Sequence, residues 1–358
     1  DATADAKLID GFFDQDVDLK RIDIKQNAII TQVYDRTGSK AFWEQVSAPT
    51  EQLITVLNTW ADFGEKPLCI GNKSLIERLQ AHPNISPKVV FMNFVGLRGS
   101  NAAEDCSVVF ITGRNEPQSI EVDHKARGLF WDDDIPLQHD EFDNNQNLPL
   151  ELRGFLTSER FRGGSQGVET RTFSDSRIEA VHQQIREAES IQAIARLRLV
   201  HTKQRKRVFI LSNVPLEVPV DQLVKFDDLM PDRLEYEFLK AGNIPLSPLG
   251  LLKLRPDLAN SEDSARKMLK RSAISALDRL KVLPGLQLKG LIIVEFKAKN
   301  NNRTRTHQHL FLMDEEAKVL TEDDNSLKIA VSKVPLDDWT ALLEKGWGTI
   351  EETHFFYA

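Results

Sequence analysis

Cysteine is scarce in this chain: only Cys69 and Cys106 occur in 358 residues, and each lies within an apolar run. This usage argues against a disulfide framework or a cysteine metal site and predicts buried free thiols in a reducing cytoplasm. No apolar run approaches the ~20 residues that span a bilayer, so no membrane contact is expected. The sequence also lacks a repeat of fixed period and the G-x-x-x-x-G-K-[ST] motif of a phosphate-binding loop.

Positive charge is unevenly distributed along the chain. The net charge is −8, yet residues 241–313 contain 13 Lys and Arg against 5 Asp and Glu. This stretch therefore has a balance of +8 and leaves −16 for the remainder. If the protein has a polyanionic partner, we expect that partner to contact the basic stretch.

Through the first 214 residues, compact apolar runs alternate with amphipathic stretches. Strands are predicted at 21–25, 28–34, 67–70, 89–92, 107–112 and 208–211. Helices are predicted after Thr50, after the turn at 71–74, and over 177–198. This alternation predicts an α/β fold whose parallel sheet is covered on both faces. An acidic loop insertion is expected at about 130–167.

The predicted helix over 177–198 ends in a cationic group. Gln192 and Arg196 are four residues apart and therefore project from one side of the helix. Arg196 and Arg198 would point about 200° apart in an unbroken helix. Both arginines reach one phosphate only if the helix ends near Arg196, which makes Arg196 the stronger candidate for an anion contact.

The C-terminal part is predicted to be a nucleic-acid-binding domain over 233–358, after a connector at 215–232. Helices are expected at 233–239, 249–254 and 261–282, followed by a hairpin whose strands are 291–297 and 306–312. Two helices followed by a basic hairpin form the outline of a winged helix. The candidate DNA contacts are Arg266, Lys267, Lys270, Arg271, Lys297, Lys299, Arg303 and Arg305.

Four stretches, in this order, resemble the second half of a superfamily 2 DNA helicase. Residues 1–4 resemble the segment that links two RecA-like domains, 67–74 resemble motif IV, and 98–117 resemble motif V. Gln192-x-x-Ala-Arg-x-Arg198 resembles motif VI, which is usually Gln-x-x-Gly-Arg-x-x-Arg. Here Ala195 replaces the usual glycine, and the second arginine comes one position early. The resemblance covers about 1–214 and is greatest to primase-helicases or replication proteins of phages, plasmids and integrated elements.

The resemblance implies a RecA-like domain that acts on ATP held by a second domain. Arg196 would be the arginine finger, assisted by Arg198 and Gln192. Nucleotide state would be coupled to DNA by Gly99, Asn101, Glu104 and Asp105, and single-stranded or forked DNA would contact Asn72, Lys73 and Ser74. The chain opens as if inside a domain, so we expect a fragment whose P-loop domain precedes Asp1. ATP and Mg²⁺ are expected for the intact protein, and the fragment alone is expected to bind neither.

Two other classes of function remain open from the sequence. One is a non-enzymatic DNA-binding module that retains the RecA-like fold. The other is a metal-dependent nuclease that uses the E-x-K pattern of Glu295 and Lys297, with Asp257 as the upstream acid. The histidines lack H-x-x-x-H spacing, and no metal site is predicted.

Overall fold

The protein is described by a computed structural model. The described residues are 5, 8–9, 26–45, 47–62, 64–94, 96, 103–141, 148–161, 166–200, 202–203, 205–272, 274, 290–298, 306–313, 341, 343–344 and 350–357. The chain divides into a first unit, Asp1–Phe226, and a second unit, Asp227–Ala358. Within the described part, no helix has the length and apolar character needed to cross a membrane.

The first unit is built on a six-stranded parallel sheet. The strands described in this unit are β1 (Ala28–Val33), β2 (Pro67–Gly71), β3 (Val90–Asn93), β4 (Val108–Thr112), β5 (Leu150–Gly154), β6 (Gly167–Arg171), β7 (Lys206–Ile210) and β8 (Gln222–Val224), of which β5 and β6 form a separate pair. The sheet order is β3-β2-β4-β7-β1-β8, and every neighbouring pair in it is parallel. The prediction of an α/β fold with a parallel sheet is confirmed.

Helices flank this sheet because its strands are apolar on both faces. The helices are α1 (Lys40–Gln45), α2 (Ser47–Asp62), α3 (Lys73–Gln80), α4 (Ser119–Leu129) and α5 (Ser176–Ala195). Val109 and Ile111 of β4 belong to the same buried cluster as Ala193 of α5. Phe110, between them, packs edge-on against Trp60 of α2 with 6.4 Å between ring centroids. Successive residues of one strand therefore contact helices on opposite faces.

Helix α5 ends directly before Arg196, which is where it must end if Arg196 and Arg198 are to reach one phosphate. Asp175 caps its start by accepting a hydrogen bond from the Arg177 amide. At the other end, the Arg196 amide bonds to the Ala193 carbonyl at 3.3 Å, and the Arg198 amide bonds to the Ala195 carbonyl at 2.9 Å. Arg198 has φ +49°. This left-handed conformation costs about 1–2 kcal/mol for a non-glycine residue.

The expected loop insertion at 130–167 is not irregular throughout, and this part of the prediction was wrong. Strands β5 and β6 form an antiparallel pair that begins inside that range, with Gly154 opposite Gly167. The acidic segment that precedes β5 is held by Arg177, whose guanidinium lies 2.6 Å from the Asp133 carboxylate. Strand β8 likewise lies within the predicted connector at 215–232, because it pairs with β1 as the sixth strand of the sheet.

The second unit contains a small antiparallel sheet with short helices. Its elements are α6 (Phe226–Leu229, which begins at the last residue of the first unit), α7 (Arg233–Ala241), β9 (Asn243–Pro245), α8 (Pro248–Leu254), α9 (Glu262–Arg271), β10 (Gly290–Ala298), β11 (Thr306–Met313) and β12 (Ile350–Tyr357). The sheet order is β12-β10-β11-β9. Strands β10 and β11 pair as the predicted hairpin. Helix α9 starts after the Ser261 cap and is described to Arg271, and most of the remainder of the predicted helix at 261–282 lies outside the described residues.

Candidate functional site

The predicted site residues of the first unit lie at two opposite edges of the parallel sheet. All strands of this sheet run in the same direction, so one edge holds their amino ends and the other their carboxyl ends. Asn72, Lys73 and Ser74 follow β2 at the carboxyl edge. The end of α5 and the residues just before β4 lie at the amino edge, since they lead directly into strands.

At the amino edge, the motif V-like and motif VI-like stretches contact each other. The Arg198 guanidinium lies 3.5 Å from the Glu104 carboxylate. Lys206, the first residue of β7, donates from its ammonium to the Glu104 carbonyl at 2.5 Å. The Asn27 amide, directly before β1, donates to the Leu199 carbonyl at 3.1 Å. These contacts fix the segment after α5 against the amino ends of three strands. Asp105 is exposed beside Glu104, whereas Gly99 and Asn101 lie outside the described residues.

Arg196 lies at this edge directly after the end of α5 and is half-buried. Its Nε is buried and has no hydrogen-bond partner among the described residues. The flanking Ile194 and Leu197 are core residues, which hold the backbone of Arg196 in place. Gln192, half-buried, lies one helical turn earlier on the same side. A buried donor without an acceptor is rare in folded proteins, and Arg196 as a whole is only half-buried.

A cleft of about 580 Å³ opens at the carboxyl edge. It lies where the connections of two neighbouring strands diverge: β2 continues through α3 to β3 on one side, and β4 continues to β7 on the other. Ligands of open α/β sheets bind at such a topological switch point. The cleft is lined by Ser39, Lys40, Asn72, Lys73, Ser74, Glu77, Arg114, Asn115 and Glu116. The three predicted motif IV residues are therefore part of its wall.

Two glycines bring the loops of this edge together. Gly38 follows β1 with φ +59°, and Gly113 follows β4 with φ +87°. A Cβ on Gly113 would lie 2.5 Å from the Gly38 carbonyl oxygen. Any larger residue at Gly113 would therefore force the two loops apart in addition to straining its own backbone.

Helix α3 presents its amino end to the cleft. Asn72 occupies the N-cap position, but its side chain makes no capping bond. The Ser74 hydroxyl donates to the Glu44 carboxylate at 2.8 Å. Lys73 lies 3.8 Å from Glu77 on the same helix, and both side chains are exposed. The free amide groups of the first turn and the helix dipole favour an anion at this position.

A network of charged side chains extends from the wall of the cleft to the buried His182 and Arg186 of α5. Glu116 forms an ion pair with Arg114 and accepts a hydrogen bond from Nε2 of His182 at 3.1 Å. Nδ1 of the same imidazole lies 3.2 Å from Glu179. Burial alone would raise the pKa of Glu116, but the His182 hydrogen bond and the charges of Arg114 and Arg186 lower it to about 2. The His182 pKa is raised: burial opposes its charge, and the bonds to Glu116 and Glu179 outweigh burial.

The network continues from α5 into the β5–β6 pair. Arg186 has a side chain that is 1% exposed and makes two bonds to Glu187, at 3.0 and 2.7 Å. It also donates to the carbonyl of Arg171 on β6 at 3.0 Å. Arg153 of β5 lies 2.8 Å from the same Glu187. The cleft, the middle of α5 and the β5–β6 pair are therefore connected by one set of ionic contacts.

The sequence interpretation did not single out Arg114, Glu116, His182 or Arg186 as site residues. Two patterns point to them once they are sought. Glu179, His182 and Arg186 follow the three- and four-residue steps that align side chains on a helix. Arg114 and Glu116 follow the fully buried strand β4, and ligand-binding loops of parallel sheets occur after such strands.

In the second unit, α9 presents its cations to solvent. Arg266 lies 3.2 Å from Glu262, and Lys267 lies 2.8 Å from Asp263. Lys270 and Arg271, also exposed, complete the last turn, and no ion pair forms with either within the described part. Lys297 is half-buried on β10, whereas Lys299, Arg303 and Arg305 lie outside the described residues.

The residues of the nuclease alternative have other partners. Glu295 accepts a hydrogen bond from the Gln308 amide at 3.0 Å. Asp257 forms an ion pair with Arg255 at 2.8 Å. Among the described residues, no group of three or more His, Cys, Asp or Glu side chains is arranged to hold a metal ion.

Comparisons of the chain with protein-family models, with curated proteins and with solved structures find no match. The candidate sites are therefore the two edges of the parallel sheet and the basic helix α9 of the second unit.

Proposed function

We propose that the first unit is the second RecA-like domain of an ATP-dependent DNA motor, a helicase or primase-helicase. The observation that carries this proposal is the position of Arg196 directly after the end of α5, with an Nε that has no hydrogen-bond partner among the described residues. In such a motor the guanidinium reaches the γ-phosphate of ATP and stabilises the charge that develops during phosphoryl transfer. Gln192 and Arg198 assist from the same helix end. The sequence contains no P-loop motif, so ATP and Mg²⁺ would be held by a second domain.

The DNA strand would bind in the carboxyl-edge cleft, which lies at the edge of the sheet opposite Arg196. The uncapped α3 amino end of this cleft and the adjacent Lys40, Lys73 and Arg114 supply donors and positive charge suited to backbone phosphates. This arrangement separates the nucleotide edge from the nucleic-acid edge. The contact between Glu104 and Arg198 agrees with a coupling role for the motif V-like stretch.

We infer that the second unit is a winged-helix-like DNA-binding domain. The element order α7, β9, α8, α9, β10, β11 ends in the hairpin expected of a wing, and β9 pairs with β11. Helix α9 would enter a groove of DNA, with Lys270 and Arg271 on its exposed last turn. The basic balance of this part of the chain supports contact with a polyanion.

The test of the motor proposal is Arg196→Ala in the chain together with the P-loop domain that holds ATP. DNA-stimulated ATP hydrolysis is expected to fall by about 10³–10⁵, the range measured for arginine fingers, while DNA affinity stays unchanged. Lys125→Ala, at an exposed position on α4, is the control and should retain activity. Unchanged hydrolysis in Arg196→Ala would exclude the finger assignment.

A non-enzymatic DNA-binding module is the second candidate. Ala195 in place of the usual glycine and the shortened arginine spacing favour it, because both alter the motif that positions the finger. The same assay separates the two candidates. DNA binding without any ATP hydrolysis by the assembled protein would support the module over the motor.

A further inference from the structure

The cations of the carboxyl-edge cleft all have carboxylate partners close in sequence. Lys40 lies 3.8 Å from Glu44, and both side chains are more than one third exposed. Lys73 and Glu77 on α3 are separated by the same distance, and their side chains are more exposed. Exposed pairs of this kind contribute only about 0.2–0.5 kcal/mol, so neither lysine is strongly held. Arg114 differs, because its side chain is 17% exposed and contacts Glu116 directly.

Glu116 does not depend on Arg114 for its neutralisation. His182 donates to it at 3.1 Å, and the Arg186 guanidinium lies 3.9 Å away. Both of these partners belong to α5 and are almost completely buried. If Arg114 leaves, Glu116 retains two cationic neighbours. Arg114 is therefore the exchangeable member of the network, and its departure leaves the partly exposed Glu116 with His182 and Arg186 as partners.

Arg114 also lies at the position where an incoming anion would be best stabilised. It lines the same cleft as the uncapped amino end of α3. An anion there would accept from a planar guanidinium and from backbone amides at once. Arginine offers two parallel donors to a phosphate, a geometry that the more exposed lysines do not provide.

We propose that Arg114 is the principal phosphate-binding residue of this cleft and that Glu116 competes with the DNA phosphate for it. Strand binding then exchanges one partner of Arg114 for another, and Glu116 stays with His182 and Arg186. This inference rests on the proposed binding of a DNA strand at the carboxyl edge. It adds the residue that makes the central contact and the group that regulates it.

The test measures binding of a labelled single-stranded dT20 oligonucleotide to the full chain by fluorescence anisotropy over a range of salt concentrations. Arg114→Gln should weaken binding about 10- to 100-fold, the loss of charge-assisted hydrogen bonds. The slope of log affinity against log salt should become shallower by about 0.7, the value for one phosphate contact on a single strand. Glu116→Gln should strengthen binding about three- to tenfold, because the competitor loses its charge.

The opposite changes in affinity expected for Arg114→Gln and Glu116→Gln distinguish an exchange of ion-pair partners from a structural role of the pair. Both variants break the same ion pair, so a merely structural pair would weaken binding in both cases. Arg114→Lys preserves the charge and should retain the salt slope at lower affinity. Lys125→Gln, an exposed cation on α4, is the control and should change neither quantity.

The outcomes separate this inference from the proposed function. If the unmodified chain binds the oligonucleotide and the two variants change affinity in the same direction, or not at all, Arg114 exchange is excluded and the motor proposal stands. Absence of oligonucleotide binding by the unmodified chain would overturn the inference together with the DNA-binding part of the proposed function.

Discussion

Removal of the buried Arg186 charge should destabilise the first unit strongly. In Arg186→Met the apolar part of the side chain is retained, but Glu187 loses two hydrogen bonds at 3.0 and 2.7 Å and keeps its contact with Arg153. The Arg171 carbonyl loses its donor as well. Breaking a buried ion pair by removing one partner costs about 3–5 kcal/mol, because the remaining charge is left desolvated.

Calorimetric or urea unfolding measures this loss. A change of 3–5 kcal/mol in the free energy of unfolding corresponds to a decrease in Tm of about 6–20 °C for a unit of this size. Trp43 and Trp60 are buried in the first unit, and their fluorescence reports its unfolding. Arg266→Met removes an exposed helical ion pair and should cost less than about 0.5 kcal/mol.

A double-mutant cycle tests whether Arg186 and Glu187 stabilise the fold through their mutual contact. Arg186→Met with Glu187→Leu replaces the pair by apolar side chains, so part of the lost stability should return. A loss below about 1 kcal/mol in Arg186→Met alone would show that this guanidinium is not held by a desolvated network. Additive effects of the two changes would show that the two residues do not interact.

Two further measurements follow from the charged groups. His182 faces Glu116, Glu179 and Arg186, and the Phe173 ring packs edge-on against it. The pKa of His182 is raised in the folded protein, so protonation of this imidazole stabilises the fold. That stabilisation is complete below the unfolded-state pKa of 6.5 and is lost as pH rises through the folded-state pKa. Stability measured by urea unfolding should therefore decrease above about pH 6.5 in the unmodified protein and less so in His182→Gln; equal pH slopes would contradict this assignment. In the second unit, Lys270→Gln with Arg271→Gln should make the salt dependence of duplex DNA binding shallower by up to about 1.8, or 0.9 for each phosphate contact. Arg266→Gln with Lys267→Gln should change the salt dependence less, because Glu262 and Asp263 already neutralise these cations. An unchanged slope in Lys270→Gln with Arg271→Gln would show that the last turn of α9 does not contact the DNA backbone.

The central strands of the first sheet could be predicted from the sequence because each is a short, continuous apolar run. Strands β2 and β4 occur within two residues of the predicted positions, because a short apolar run between turn residues is typical of a strand that is buried on both faces. Strand β8 was missed because it has three residues and depends on pairing with β1. Strand β12 was missed for a similar reason, because it is defined by its long pairing with β10.

The site could be predicted only where its residues are close in sequence. Gln192 and Arg196 are four residues apart, so helical geometry alone predicts that they project from one side of the helix. The cleft network is different: Glu116 and His182 are 66 residues apart, and neither has an unusual local environment in the sequence. Their contact is created by the packing of α5 across the sheet, which no local pattern encodes.

Helix α5 connects the two edges of the parallel sheet. Its His182 and Arg186 contact Glu116 at the cleft, and its last turn leads into Arg196 at the opposite edge. From Arg186 to Arg196 the axial distance is about 15 Å at 1.5 Å per residue. Ala193 and Ile194 fix the intervening turns in the core, so the helix resists bending between these points. In the proposed motor, a displacement of Glu116 when Arg114 exchanges partners would act on the same rigid element that carries the arginine finger.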